Sequence, residues 1–241
     1  LETVRAGSPA YLIMIDSLIE GDPGNPSILM AGARLYGSYA SAFVEDRQRA
    51  GRMADKSLAY ARDALCLGLS DLCASLDQKL DVVEAEVTQI KHAELPLLYG
   101  FAAAWAGWLQ IYSDDWNAIA QIPKMRALFE HCLLLDESHD RGGAHLYLAV
   151  LSSQIPPSLG GKPEQARQHF EKALDISQGR NLMVHVLYAE YYARLMFDQE
   201  LHDRLLNQAL TADADAPGLT LINTLAKKRA AVLLEQSSEF F

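Results

Sequence analysis

The sequence contains no apolar run of the roughly 18 residues that a transmembrane helix requires. Its longest apolar stretches, such as residues 11–15 and 146–151, are far shorter. Basic residues are also in the minority, because 31 Asp and Glu against 21 Lys and Arg give a formal net charge of −10 at pH 7. We therefore expect neither a membrane-spanning protein nor one that binds nucleic acid through a basic surface.

Cysteine is scarce as well. Cys66, Cys73 and Cys132 have neither the spacing of a zinc site nor the number that a disulfide framework needs. We interpret all three as small buried hydrophobic residues. A disulfide between Cys66 and Cys73 stays open as an alternative, and it requires the chain to bend between them, near Gly68.

Catalytic motifs are missing too. No Ser-His-Asp order, nucleophile elbow, paired-carboxylate signature or dinucleotide loop stands out, so we expect no enzyme and no cofactor. The order Gly160, Gly161, Lys162 resembles part of a phosphate-binding loop. However, no Ser or Thr follows Lys162, and no strand pattern precedes the glycines. We interpret them as a tight turn before Pro163, which opens the next helix.

The sequence gives little support for a metal site. His139 and His145 flank Asp140, but their spacing does not place both imidazoles on one helix face, and Gly142 and Gly143 bend the chain between them. We expect no metal, and His145 is interpreted as a structural or pore-lining residue.

What the sequence does contain is a series of amphipathic segments with helical spacing, separated by turn signals. We predict an all-α fold of about ten or eleven helices and no sheet. The predicted helices cover residues 8–20, 27–44, 45–68, 71–94, 94–112, 123–135, 144–154, 163–177, 181–197, 199–212 and 218–235.

Some of these segments repeat one another. Ala166, Phe170, Ala173 and Leu174 lie on one helix face, and a similar pattern recurs at Ala209, 36 residues after Ala173. This interval is close to the roughly 34-residue tetratricopeptide period. We predict one tetratricopeptide-like helical-repeat domain (an α-solenoid) over residues 1–241, with Phe170 buried between helices and a groove along the stack.

Aromatic residues provide the candidate ligand site. Trp105 and Trp108 share a helix face among small alanines, which leaves room for a cavity or pore with an aromatic wall. Packing in the core of the repeats is the simpler interpretation of the same residues, and both interpretations stay open. The candidate ligand-binding residues are Tyr99, Trp105, Trp108, His145, Tyr147 and Tyr188.

Several stretches, taken in order, resemble the T component (TatT type) of tripartite ATP-independent periplasmic (TRAP) transporters. They are residues 35–37, 42–44, 105–108, 134–137, 141–145, 156–166 and 169–174, then Asn223, residues 226–230 and 233–235, and Phe241. No single stretch is diagnostic, but their order along nearly the whole chain is.

The resemblance implies a periplasmic, non-enzymatic lipoprotein with a tetratricopeptide-like fold. It also implies a homotrimer with a pore or cavity in each protomer, and a periplasmic solute-binding protein as the partner. The lipid-bearing Cys of the family is absent, and we interpret Leu1 as the start of a trimmed chain, so that the membrane is reached only through an inferred lipid anchor. The alternative is a cytoplasmic tetratricopeptide scaffold for protein interactions.

Overall fold

The computed structural model describes residues 1–154 and 161–241, and within these ranges the chain is helical with no strand. It forms two compact units, an N-terminal unit, Leu1–Asp136, and a C-terminal unit, Glu137–Phe241. Eleven helices in the described ranges have eight residues or more, when α11 is counted with the π-helical turn that continues it. The all-α prediction is confirmed, and a helical repeat array is consistent with it. The single domain over residues 1–241 stays a prediction.

In the N-terminal unit, the chain forms eight α-helices and one short 3₁₀ helix. They are α1 (Glu2–Gly21), α2 (Pro26–Phe43), α3 (Arg47–Gly68), α4 (Ser70–Ser75), α5 (Leu80–Val87), the 3₁₀ turn (His92–Glu94), α6 (Leu95–Ile111), α7 (Trp116–Ile119) and α8 (Ile122–Asp136).

Local chemistry explains where these helices begin. The Asn25 side chain accepts hydrogen bonds from the N–H groups of Ser27 and Ile28, and Pro26 occupies the first turn of α2. Asp46 caps α3 in the same way. The helices then pack α1 on α2, α2 on α3, and α3 on α6, which in turn packs on α8.

A polar network joins the first three helices. Asp16 of α1 accepts hydrogen bonds from Tyr36 of α2 (2.6 Å) and from Lys56 (2.6 Å) and Tyr60 (2.8 Å) of α3. Burial opposes the ionised form, but these three donors lower the pKa of Asp16 below its ordinary value. The network therefore specifies which faces of α1, α2 and α3 meet.

The structure corrects the interpretation of two cysteines. Cys66, in the last turn of α3, and Cys73 of α4 form a disulfide, with their Cα atoms 5.0 Å apart. The chain bends after Gly68, at Leu69, which brings the two sulfurs together. Cys132 is buried with a free thiol, as predicted, and burial raises its pKa to about 12.

A second correction concerns the helix predicted over residues 71–94, which is broken into α4, α5 and the 3₁₀ turn. Of the apolar side chains on its helical stripe, Leu76, Val83, Val87 and Ile90 are buried and Leu80 is half-buried. Helical spacing alone does not distinguish one long helix from short helices that bury the same stripe, here partly on α8.

In the C-terminal unit, a 3₁₀ turn (His139–Arg141) precedes the remaining helices. They are α9 (Gly143–Ser152), α10 (Pro163–Ser177), α11 (Leu182–Leu187) with its π-helical turn (Tyr188–Ala193), α12 (Gln199–Thr211), α13 (Thr220–Glu235) and α14 (Ser237–Phe240). Helix α9 packs on α10, α11 on α12, and α13 on both α11 and α12. Helices that pack on their neighbours along the chain in this way are consistent with a short repeat array.

Phe170 is fully buried in the core of this unit, as predicted, and its ring stacks on that of Tyr188. Ala166 and Ala173, one turn away on either side, are also fully buried. A buried Asn223 ties α13 to the start of α11 and to the loop before it, because it accepts a hydrogen bond from the Leu182 N–H and donates one to the Arg180 carbonyl. The repeat register read from the alanines and Phe170 therefore places the core correctly.

Candidate functional site

Two of the six predicted ligand-binding residues, Tyr99 and Trp105, lie in the core of the N-terminal unit. Tyr99 is 7% exposed, and its ring meets that of Phe129 edge-on, with centroids 6.2 Å apart. Trp105 is 8% exposed and lies against Phe101, one turn earlier on α6, at 5.4 Å. Both side chains contribute to the packing of α6, and whether either also contacts a ligand stays a prediction.

Trp108 is the third predicted site residue on α6. Its side chain is half-buried, and its indole N–H is hydrogen-bonded. The indole N–H donates to Asp55 Oδ1 (2.8 Å), and the Tyr112 hydroxyl donates to the other oxygen of the same carboxylate (3.0 Å). Burial, followed by the Asp55 hydrogen bond, raises the pKa of Tyr112. Gly51 makes this contact possible, because a Cβ there would lie only 2.8 Å from the Tyr112 hydroxyl.

A cavity of about 390 Å³ lies in the N-terminal unit, where the end of α2, the start of α3 and the end of α6 meet. Its lining combines apolar and polar side chains, including Val44, Ala50, Ile111 and Ser113. Arg47 and Asp114, which also line it, form an ion pair. Sequence reasoning missed this cavity because its walls come from segments about 65 residues apart, and no local motif marks them.

In the C-terminal unit, the predicted residue His145 lies at the start of α9 and is 7% exposed. Its Nδ1 is 2.9 Å from Nδ1 of His169 on α10, so one of the two nitrogens donates and the other accepts. Its Nε2 is 3.6 Å from the carboxylate of Glu137, which also lies 3.4 Å from Lys172. Burial lowers the pKa of His145, although Glu137 opposes the shift.

The turn that positions His145 is strained. Asp140, Arg141 and Gly142 all have left-handed backbone, with φ of 48°, 57° and 80°. The Arg141 guanidinium donates to the Pro217 carbonyl (3.0 Å) and holds this turn against the loop between α12 and α13. The predicted bend at Gly142 is thus present.

The last two predicted residues are Tyr147 and Tyr188. Burial raises the pKa of Tyr147, on α9, to about 12. Tyr188 is 5% exposed, stacks on Phe170 with centroids 4.7 Å apart and planes 9° apart, and meets Tyr192 edge-on at 5.3 Å. Burial raises the pKa of Tyr188 above its ordinary value, so its hydroxyl stays protonated.

The π-helical turn that contains Tyr188 was not predicted, and such turns are frequent at functional sites. It also contains Glu190, whose carboxylate pairs with Arg229 of α13 at 2.6 Å. The predicted site residues thus divide between the two units, three in the N-terminal unit and three in the C-terminal unit. The predicted Gly160 turn lies outside the described residues.

Two general features of the described residues bear on function. Among residues 1–154 and 161–241, no group of three or more His, Cys, Asp or Glu side chains is placed to hold a metal ion. In the same ranges, none of the helices combines the length and the apolar character that crossing a membrane requires.

Comparison with known proteins extends the resemblance from separate stretches to the full length. The chain matches the family described as TRAP transporter T-component over residues 1–241. It is also similar to an uncharacterized protein of Treponema pallidum (strain Nichols), with 23% identity over 267 aligned positions that cover 100% of this chain and 80% of that protein.

Proposed function

Because this chain belongs to the TRAP transporter T-component family, we propose that it is the accessory subunit that binds the periplasmic solute-binding protein of such a transporter. The family match over the entire chain is the observation that carries the proposal. It includes both units and every predicted site residue. The family is not known as one of enzymes, so the proposed work is binding and assembly.

The fold suits this role. Stacked helix pairs expose long helix faces and loops, and such arrays commonly act as binding surfaces. Large apolar side chains are exposed in both units, including Tyr11 and Trp116 in the first and Phe197 in the second. Where such groups form a contiguous patch, the patch is typical of a surface that meets another protein.

The disulfide favours a periplasmic location over the cytoplasmic alternative. T-components of TRAP transporters are periplasmic proteins. Disulfides such as Cys66–Cys73 persist in oxidising compartments, which include the bacterial periplasm, and are rare in the cytosol. We further propose that an N-terminal lipid anchors the protein, a proposal that rests on the family alone. A gene that encodes a signal peptide ending at a cysteine would support it, and a plain cytoplasmic start would favour the scaffold alternative.

A small, partly apolar ligand remains part of the proposal. Of the predicted residues on α6, Trp108 is the best placed to contact one, because it is half-buried while Tyr99 and Trp105 are almost fully enclosed. Trp108→Phe removes the indole donor and keeps an aromatic ring. Loss of ligand with an unchanged melting temperature would support a role for Trp108 in binding. Normal ligand retention in this variant would remove Trp108 from the site.

The direct test of the proposed function is co-purification of this chain with the solute-binding protein encoded beside it. We expect a stable complex on size-exclusion chromatography, with a dissociation constant measurable by calorimetry. Mass spectrometry of the purified complex then identifies any retained small molecule. Failure of the two purified proteins to associate at micromolar concentration would refute the proposal.

A further inference from the structure

Phe197 occupies a backbone position that ordinarily belongs to glycine. It follows the π-helical turn and has a φ of 52°, in the left-handed region. The next N–H, of Asp198, donates to the Ala193 carbonyl (2.9 Å) and closes the end of the helix. Glycine is the usual residue where a helix ends in this way, since a side chain is strained there. A phenylalanine at this position therefore lowers the stability of the fold.

The Phe197 side chain regains little of this energy by burial, because the residue is 76% exposed. Its ring lies 6.3 Å from that of Phe240, which is itself 45% exposed, and the neighbouring Met196 is 43% exposed. We call Met196, Phe197 and Phe240 the phenylalanine patch. Strained backbone that carries an exposed aromatic ring indicates a residue kept for an external contact.

Within the phenylalanine patch, the Phe240 ring packs against its own chain. The Arg194 guanidinium lies over the Phe240 ring, with its Cζ 4.5 Å from the ring centroid, and Phe241 meets the same ring edge-on at 5.1 Å. Helix α14 is fastened to α12, since the buried Ser237 donates to Asp203 (2.6 Å). A ring that already packs on its own chain, as Phe240 does, loses less conformational entropy when a partner covers it.

Exposed carboxylates border the phenylalanine patch. Asp198 follows Phe197, Glu200 lies in the first turn of α12, and Glu239 precedes Phe240, and all three residues are exposed. An apolar centre with a charged border is the usual anatomy of a protein interface. The complementary surface is an apolar pocket bordered by Lys or Arg.

We propose that the phenylalanine patch is the surface through which this chain docks on the solute-binding protein, an inference that rests on the proposed function. The ring of Phe197 enters an apolar pocket of the partner, and the acidic border meets basic side chains around that pocket. A second copy of this chain fits less well, because the three exposed carboxylates outnumber the Arg194 guanidinium at the patch, and two patches facing each other bring like charges together.

The test measures the affinity of the full chain for the neighbouring solute-binding protein by calorimetry, with the melting temperature of each variant as a second readout. Phe197→Gly removes the ring and relieves the backbone. We expect the affinity to fall about 30-fold, the change that a binding hot spot of about 2 kcal/mol produces. The melting temperature should stay the same or rise, whereas loss of a purely structural residue would lower it.

Gln178→Gly is the matched control. Gln178 is exposed, ends α10 with a φ of 53°, and is followed by the same type of helix-closing hydrogen bond, from the Gly179 N–H to the Leu174 carbonyl (2.8 Å). This variant relieves the same strain without touching the patch, so it should keep the affinity. A third variant, Glu239→Lys, should slow association at low salt, because rim charges act mainly on the association rate.

The possible outcomes distinguish an error in the docking surface from an error in the proposed function. If the unchanged chain binds and Phe197→Gly binds equally well, the docking surface is wrong and the proposed function stands. If the unchanged chain does not bind, the proposed function fails and the assignment of the partner fails with it. If the unchanged chain instead forms an oligomer that Phe197→Gly dissociates, a second copy occupies the patch and the proposal is overturned.

Discussion

Phe170 fills the space between α10 and α11, where its ring lies parallel to that of Tyr188 with centroids 4.7 Å apart. Removing the ring leaves a cavity that the two buried alanines beside it are too small to fill. We expect Phe170→Ala to lower the free energy of unfolding by about 3–5 kcal/mol. Chemical denaturation measures the change, with Trp116→Ala as a control, because Trp116 is 82% exposed. A Phe170→Ala variant as stable as the unchanged chain would contradict the register of the repeats.

His145 and His185 make the stability of the C-terminal unit depend on pH. Burial lowers the pKa of both below the ordinary value of 6.5. The unfolded chain therefore binds more protons than the folded chain once the pH falls below about 6.5, and stability declines with further acidification. We expect full stability above pH 7 and a progressive loss towards pH 5.

The His145→Gln variant checks this pH dependence. Removing one of the two titrating groups should flatten the decline in the free energy of unfolding between pH 7 and pH 5. Denaturation curves at several pH values measure the slope. An identical slope in the variant would show that protonation of His145 does not contribute.

At the scale of elements, the Cys66–Cys73 disulfide joins the end of α3 to α4 across the bend at Leu69. It closes a short loop, so the chain-entropy account gives a stabilisation of only about 2 kcal/mol. We expect the double variant Cys66→Ser, Cys73→Ser to lose about this amount, measured by denaturant unfolding. The control is the unchanged chain under a reducing agent, which should behave in the same way. Equal stability with and without the bond would contradict the prediction.

Helix α6 shows how one element can combine two kinds of side chain. Tyr99 and Trp105 are enclosed, whereas Trp108 and Tyr112 both donate hydrogen bonds to Asp55 of α3. Gly51 of α3 permits this close approach beneath the Tyr112 hydroxyl. The aromatic side chains at this end of α6, which suggested the wall of a ligand cavity, thus also attach α6 to α3 by hydrogen bonds.

At the scale of the whole molecule, helix α1 exposes an apolar stripe at Val4, Tyr11, Met14 and Leu18. At about 100° per residue these positions share one side of the helix, and no polar residue interrupts the stripe. This stripe is a candidate contact for the homotrimer that the resemblance implies, and we propose that the protein forms it through α1. We predict that light scattering at micromolar concentration gives three times the chain mass of 26.6 kDa.

Two adjacent substitutions test whether α1 forms the contact. Met14→Glu places a charge in the stripe and should dissociate the oligomer. Ile13→Glu is the matched control, because Ile13 is also exposed but points to another side of α1. A monomer mass for the unchanged chain would count against the trimer, and an intact oligomer in Met14→Glu would exclude α1 as the interface.

The sequence by itself determined most of the helices, because their signals are local. The segment predicted over residues 163–177 coincides with α10 (Pro163–Ser177), where a proline opens the helix and apolar residues recur at helical spacing. The repeat register that buries Phe170 also follows from spacing along a single helix. Both features can be predicted without knowing which helices pack against one another.

Tertiary structure decided the other features, because they depend on which residues distant in the sequence come into contact. The Cys66–Cys73 disulfide requires the bend at Leu69. Trp108 donates a hydrogen bond to Asp55, which lies 53 residues away in the sequence. The break between α4 and α5 was invisible to periodicity, since both short helices bury the same stripe. The exposed ring of Phe197 became notable only once its backbone conformation and its neighbour Phe240 were known, because neither follows from the order of residues along the chain.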